Sequence, residues 1–246
     1  MESTDLYETI FKRKSIRKYD LTPLDEDTLA EISTYMSTLS PMYGNIKTEM
    51  KIVSQKDVKG LLGSPAPHYI VAFSETKDGY LENVGFMLQQ IDLFLSANGI
   101  GACWRGLQKP TKEILSNSKL EFVIVLAFGK PKEPLHRERV SEFKRKPLGQ
   151  ISNINGMDEL LEPARLAPSG TNSQPWFFTG SRDLLHAYCV KSIMLKKMNA
   201  ISIGIALCHL WIAAKHFGKN IEFISDETAQ NNAPAGYYYI ASLKVI

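Results

Sequence analysis

Two long apolar segments carrying the same glycine punctuation most constrain this chain. The first spans about Asn83–Asn98, with Val84, Met87, Leu88, Ile91, Phe94 and Leu95 on one face at helical spacing. The second, Ile201–Phe217, is apolar almost throughout. Gly85 and Gly99 punctuate the first segment as Gly204 and Gly218 punctuate the second, at the same offset. A glycine just past a helix takes the left-handed turn that stops it. Strand-like runs surround both helices. Met50–Val53 and Tyr69–Ser74 precede the first, and Phe122–Phe128 follows as a strand apolar enough to be buried on both faces. Trp176–Thr179 and His186–Val190 precede the second, and Tyr237–Val245 follows it. Shorter helices are expected at Leu6–Lys12 with Thr4 or Asp5 as cap, at Asp27–Leu39 behind an acidic start, and at Met157–Leu166. The plan therefore occurs twice, over residues 1–150 and 151–246. It reads either as a diverged duplication or as two unrelated helix–strand units with similar punctuation.

A chain of 246 residues can bury a real core as one large domain or two small ones. A formal charge of +3 is too small to argue for nucleic acid. The basic residues cluster at Lys12–Lys18 and Arg137–Lys146, as solvated faces or as anion sites. The second cluster, between Pro134 and Pro147, reads as the link between halves, with Val140, Phe143 and Leu148 as anchors. Three cysteines (Cys103, Cys189 and Cys208) form no metal-ligand spacing and suit a reducing compartment. The first five residues are polar, without a secretory pattern. Ile201–Ala214 is interrupted by His209 and stopped by Lys215, too short and too polar to span a bilayer. A cytoplasmic protein is expected, with no nucleic-acid, membrane or metal partner.

The most specific local pattern is Pro168-Ser169-Gly170-Thr171-Asn172-Ser173-Gln174-Pro175-Trp176. A helical run stops at its proline, and a loop rich in free N–H groups leads into an aromatic strand. It resembles the A-P-S-x-x-N-x-Q-P-W signature of the flavin-dependent nitroreductase family. Arg13-Lys14-Ser15-Ile16-Arg17 resembles that family's R-R-S-x-R opening. Gly99-Ile-Gly101-Ala-Cys103-Trp104-Arg105-Gly106 resembles its G-L-G-S-C-W-x-G segment, and Lys144-Arg145-Lys146-Pro147-Leu148 its R-K-P-L close. The resemblance implies an α+β fold, central antiparallel sheets wrapped by helices, and FMN held at the interface of a homodimer.

Here the signatures are split. The first half lacks most of the proline–asparagine loop, at Ser40–Asn45, and the second lacks the arginine opening and the C-W pair. Pooled, they make one complete site. The chain is thus similar to the single-chain nitroreductase type with two fused halves. That likeness implies an internally duplicated pseudo-dimer, a monomer carrying one FMN. Lys14 departs from the opening pattern, and Gly170 stands where many members have a second serine.

The resemblance also implies roles. Arg13, Lys144 and Arg145 supply cations to the FMN phosphate, since guanidinium offers forked donors. Ser15 and the Lys14 backbone meet ribityl or phosphate oxygens. Arg17, the residue given the catalytic role, reaches the N1/C2 edge, where a fixed cation stabilises developing negative charge. Pro168, Ser169 and Gly170 line the ring and ribityl side, and Asn172 donates to an oxygen there. Cys103, Trp104, Arg105 and Gly106 form a loop near N5. Trp104 packs either on the ring or in the core. Gln174, Pro175 and Trp176 fix the loop, and His209 is a core histidine. NAD(P)H is the implied electron donor, and a nitroaromatic, quinone or similar small molecule the acceptor. The other reading is a flavin-binding or storage protein without turnover.

Overall fold

The computed structural model describes residues 6–60 and 63–246, so the expected cap at Thr4 or Asp5 lies outside the described residues. The chain divides into two compact units: Met1–Tyr80 with Met87–Glu142, and Leu81–Phe86 with Phe143–Ile246. The second unit thus begins at Phe143, inside the basic segment, and takes in a short stretch of first-half sequence.

In chain order the first unit contains α1 (Leu6–Ile10), α2 (Glu26–Met36), β1 (Thr48–Ser54), β2 (Val58–Lys59) and β3 (His68–Ser74). Then come α3 (Tyr80–Ala97), β4 (Gly101–Arg105), β5 (Lys109–Pro110), α4 (Lys112–Ser116) and β6 (Glu121–Gly129). Helix α2 starts where its acidic run demands, with the Asp25 carboxylate accepting from the Thr28 N–H at 2.8 Å. It stops at Met36, short of Leu39, because Ser37 and Thr38 turn their hydroxyls onto the carbonyls of Thr34 (2.7 Å) and Tyr35 (2.8 Å). The sheet is antiparallel with order β1-β3-β6-β4. Strand β6 is internal to it, which accounts for its continuous apolar run. Ile16, Tyr19, Val71, Phe73, Val125 and Ala127 form a buried core cluster of this unit.

The second unit contains α5 (Asp158–Leu166), β7 (Trp176–Gly180), β8 (Leu184–Val190), α6 (Lys196–His216), β9 (Ile221–Ile224), α7 (Glu227–Asn231) and β10 (Tyr237–Val245). Its sheet is antiparallel with order β7-β8-β10-β9. Each four-stranded sheet therefore runs first, second, fourth, third in its own chain order, with the long helix between the second and third strands. Among the described residues, α6 alone is long and apolar enough to cross a membrane, but 83% of its apolar window is buried. An all-round apolar helix so covered is a core helix.

Within the second unit, the start of α3 and the body of α6 meet backbone to backbone. A Cβ added at Gly85 would lie 2.2 Å from the Ile201 carbonyl oxygen, and one added at Gly204 would lie 2.1 Å from that of Glu82. Each glycine rests on the residue one helical turn before the other. Phe86 extends the contact, packing edge-on against Trp211 (5.3 Å) and Phe223 (5.6 Å between centroids).

Candidate functional site

The first unit brings together the arginine opening and the cysteine–tryptophan segment. Ile16 is fully buried and donates its N–H to the Ala102 carbonyl at 2.9 Å. A Cβ at Gly101 would strike the Ile16 side chain at 2.7 Å, so the close approach needs that glycine. The anchor of the cluster is Asp92 on α3, 1% exposed. Its carboxylate pairs with the Arg13 guanidinium at 2.7 Å and accepts from Trp104 Nε1 at 3.2 Å. Sequence reasoning missed Asp92; the available signal was one acid inside a largely apolar helical run.

Arg13 is accordingly 3% exposed and committed to a buried ion pair. The second basic cluster reaches it: the Arg137 guanidinium donates to the Arg13 carbonyl, and the Arg137 N–H donates to the Lys12 carbonyl at 2.8 Å. Burial, then the Arg13 charge, push the Arg137 guanidinium down to about 10. The two basic runs are thus not solvated faces throughout. Arg17 differs from Arg13. Its N–H is held by Glu133 at 2.7 Å, while its side chain is exposed. That bond lowers the Glu133 carboxyl below its usual range. Lys14 and Ser15 are half-exposed, without a side-chain hydrogen bond among the described residues.

Cys103–Gly106 was expected as a loop, but Cys103–Arg105 belong to strand β4, Gly101–Arg105, paired residue by residue with Val125–Gly129 of β6. Glycines and a cysteine read as loop chemistry, but a long-range partner supplies the ladder. Cys103 is 4% exposed, a small core residue. Trp104 is half-buried on Asp92. Arg105 is 9% exposed and donates to the Ser64 carbonyl at 3.3 Å. Only Gly106, just past the strand, is exposed.

The second unit brings together the Lys144–Lys146 close and the Pro168–Gln174 loop. Asn172 Nδ2 donates to the Lys144 carbonyl at 3.1 Å, and the Arg145 guanidinium donates to Asn172 Oδ1. Arg145 also reaches the carbonyls of Phe143 (3.0 Å) and Leu166 (3.2 Å). Gln174, 1% exposed, is the knot. Its Oε1 accepts from the Lys146 N–H at 2.6 Å, its Nε2 donates to the Arg165 carbonyl at 3.0 Å, and its N–H donates to Ser169 Oγ at 2.9 Å. The Gly170 N–H donates to Ser202 Oγ on α6 at 3.2 Å. Pro168, Ser169 and Gly170 are half-exposed, and Lys144 and Asn172 exposed. Val140, expected to anchor the basic segment, is 37% exposed; Phe143, at 3%, carries that role.

Among the described residues, the non-glycine positions with left-handed φ are Lys144 (51°), Thr171 (55°), Asn172 (59°) and Gln174 (45°). All four belong to this one cluster. Such conformations cost about 1–3 kcal/mol each and gather where a backbone is held for a ligand. Ser173 Oγ, Trp176 Nε1 and Asn199 Oδ1 are buried without a hydrogen-bond partner among the described residues. Trp176 is a core aromatic at 1% exposure, and His209 a satisfied core histidine, its Nδ1 2.9 Å from the Pro163 carbonyl oxygen.

The family model described as "Putative TM nitroreductase" matches residues 5–214. A solved nitroreductase structure from Thermotoga maritima MSB8 covers 100% of this chain and 95% of its own, at 21% identity and TM-score 0.69. A nitroreductase family protein from Clostridium novyi NT covers 52% of this chain and 86% of its own, at 23% identity and TM-score 0.44. An FMN-dependent nitroreductase from Clostridium difficile R20291 covers 55% and 92%, at 20% identity and TM-score 0.44. No match was found among curated proteins. With its α+β fold shared over 95% of the Thermotoga structure and its sequence matched by the family model over residues 5–214, the chain belongs to the nitroreductase family.

Proposed function

We propose that this chain binds FMN and works as an NAD(P)H-dependent oxidoreductase on a nitroaromatic, quinone or similar acceptor. One observation carries the reading: every left-handed non-glycine residue described lies in the Lys144 and Thr171–Gln174 cluster, on the family's signature loop. The residues present fit the cofactor. The cluster holds an exposed ammonium on Lys144 and a buried Ser173 hydroxyl without a partner among the described residues, while the Gly170, Asn172, Ser173 and Gln174 N–H groups are bonded within the fold. Bound FMN would supply the hydride chemistry, and the protein's part is binding and electrostatics.

In this reading Lys144, exposed on the second unit, neutralises phosphate. Asn172 and Arg145, bonded to each other, present one amide and one cation in fixed register. Arg13 acts from its ion pair with Asp92, by holding the backbone of the opening segment. Arg17, pinned through its N–H by Glu133 with a free side chain, is the cation that stabilises charge developing at the N1/C2 edge. Cys103, Trp104 and Arg105 support the exposed Gly106 backbone from strand β4. No side-chain general base is called for.

We read the two units as diverged copies, so that one chain stands in for the family's homodimer. The shared strand order supports this.

The test is reconstitution with FMN, counting released flavin per chain, followed by anaerobic addition of NADH or NADPH. About one FMN per chain, bleached by the nucleotide, is expected from one complete site. No bound flavin overturns the proposal. Flavin that binds but is not reduced points to storage.

A further inference from the structure

We propose that the Ser192–Leu195 turn is a peripheral contact with an anionic lipid surface. Ile193 is 99% exposed, Met194 94% and Leu195 41%. The other large exposed apolar residues described, Leu21, Leu107, Leu115, Val140, Phe217 and Ile246, are not adjacent to one another in sequence. Scattered single residues are normal on a protein surface; adjacent, almost fully solvated apolar side chains are not.

The turn is built, not frayed. The Leu195 N–H donates to Ser192 Oγ at 3.1 Å, and the Asn199 N–H donates to the Leu195 carbonyl at 2.8 Å. Upstream, the Lys191 N–H donates to the Gly236 carbonyl at 2.8 Å. Downstream, α6 is a buried core helix. Both ends are therefore fixed, and the apolar tip is held outward.

Charge decides what would cover it. Lys191, Lys196 and Lys197 are exposed around the tip, and no acid occurs from Lys191 to Met198. Lysines flanking an apolar tip suit an anionic bilayer: the tip enters the acyl boundary while the ammonium groups stay at headgroup level. A protein partner fits less well. A stable interface buries about 800 Å² per partner, and a tip whose side chains touch almost nothing in their own chain offers no such face. This contact departs from the sequence expectation of no membrane partner, which considered only whether Ile201–Ala214 could span a bilayer.

The experiment is flotation of the full-length protein with two vesicle types, phosphatidylcholine alone and phosphatidylcholine with phosphatidylserine. Binding to the mixed vesicles should be about thirtyfold or more stronger, what two lysines supply at such a surface, and should weaken with salt. Ile193→Asp with Met194→Asp should abolish binding to both. Lys191→Glu with Lys196→Glu should remove the preference for phosphatidylserine. All four side chains are exposed, so unchanged melting temperatures should accompany both losses. Equal binding to both vesicle types, or wild-type binding by either double variant, overturns the proposal. So does self-association without vesicles that the Asp pair abolishes, which makes a second copy the occupant.

Discussion

A carboxylate on the buried side of α3 is tolerable only with partners, and Asp92 has two from separate signature segments. Asp92→Ala would leave Arg13 charged, buried and uncompensated. It is expected to cost about 3–5 kcal/mol in urea unfolding. A loss below about 1 kcal/mol would show that the pair is not holding the cluster. Arg17 is the opposite case, an exposed cation on a pinned backbone. Arg17→Ala should leave stability and FMN content nearly intact and lower turnover by about 10²-fold. Normal turnover would sink its assigned role. The motif assigned both arginines to the flavin, and nothing local marks one as buried and the other as exposed. The distinction comes from Asp92, far along the chain, and from Glu133. Gln174 was legible as a loop-fixing residue because its neighbours are a proline and a core tryptophan. Its hold on Lys146 and Arg165 was not, because those partners are set by the fold.

Long periodic segments were readable as elements because their burial is written in their own residues. Strand Tyr237–Val245 and helix α5 lie within a residue of expectation. The misses are elements that exist only through partners. Strand β4 contains the glycine and cysteine of a loop, yet β6 completes its ladder. Strand β9, Ile221–Ile224, is too short to show alternation and depends on pairing with β10. The crossing of α3 and α6 makes a test of sign. At an exposed helix interior, Gly→Ala stabilises by about 1 kcal/mol. At Gly85 or Gly204 the new methyl would meet a backbone carbonyl near 2 Å, and backbone does not swing aside as a side chain would. Gly85→Ala and Gly204→Ala should therefore each destabilise, by about 1–3 kcal/mol in thermal or urea unfolding. A rise in melting temperature for either would show that the helices do not touch there.

At the scale of the molecule, pH tests the first unit. His68 Nε2 accepts the Leu24 N–H at 2.9 Å, and burial lowers its pKa from 6.5. His136, bonded to Ser96, is lowered too, by burial first and then by Lys12 and Lys14. A histidine held neutral in the fold binds its proton more readily when unfolded. Stability is therefore complete above about pH 6.5 and falls as pH drops through that value. The melting temperature should decline between about pH 7 and pH 5, and His68→Gln should flatten the decline. An unchanged profile in that variant would clear His68 of the effect. Size is the other global expectation. Sedimentation should give a monomer with one FMN, and an obligate dimer with two flavins per dimer would refute the fused-pair reading. The repeated plan was visible in the glycine punctuation, but the place of division was not. It depends on where contacts thin out, and they thin at Glu142, amid basic residues that sequence alone shows as one run.

Helix α3 is shared property: Leu81–Phe86 is compact with the second unit, while the rest of the helix is compact with the first. Severing the gene at Glu142 would strip the downstream fragment of the turn on which Gly204 rests. Neither piece should then be recoverable alone, and both should return when produced together. On the proposed fused-pair reading, simple fission of the gene would not restore two working halves.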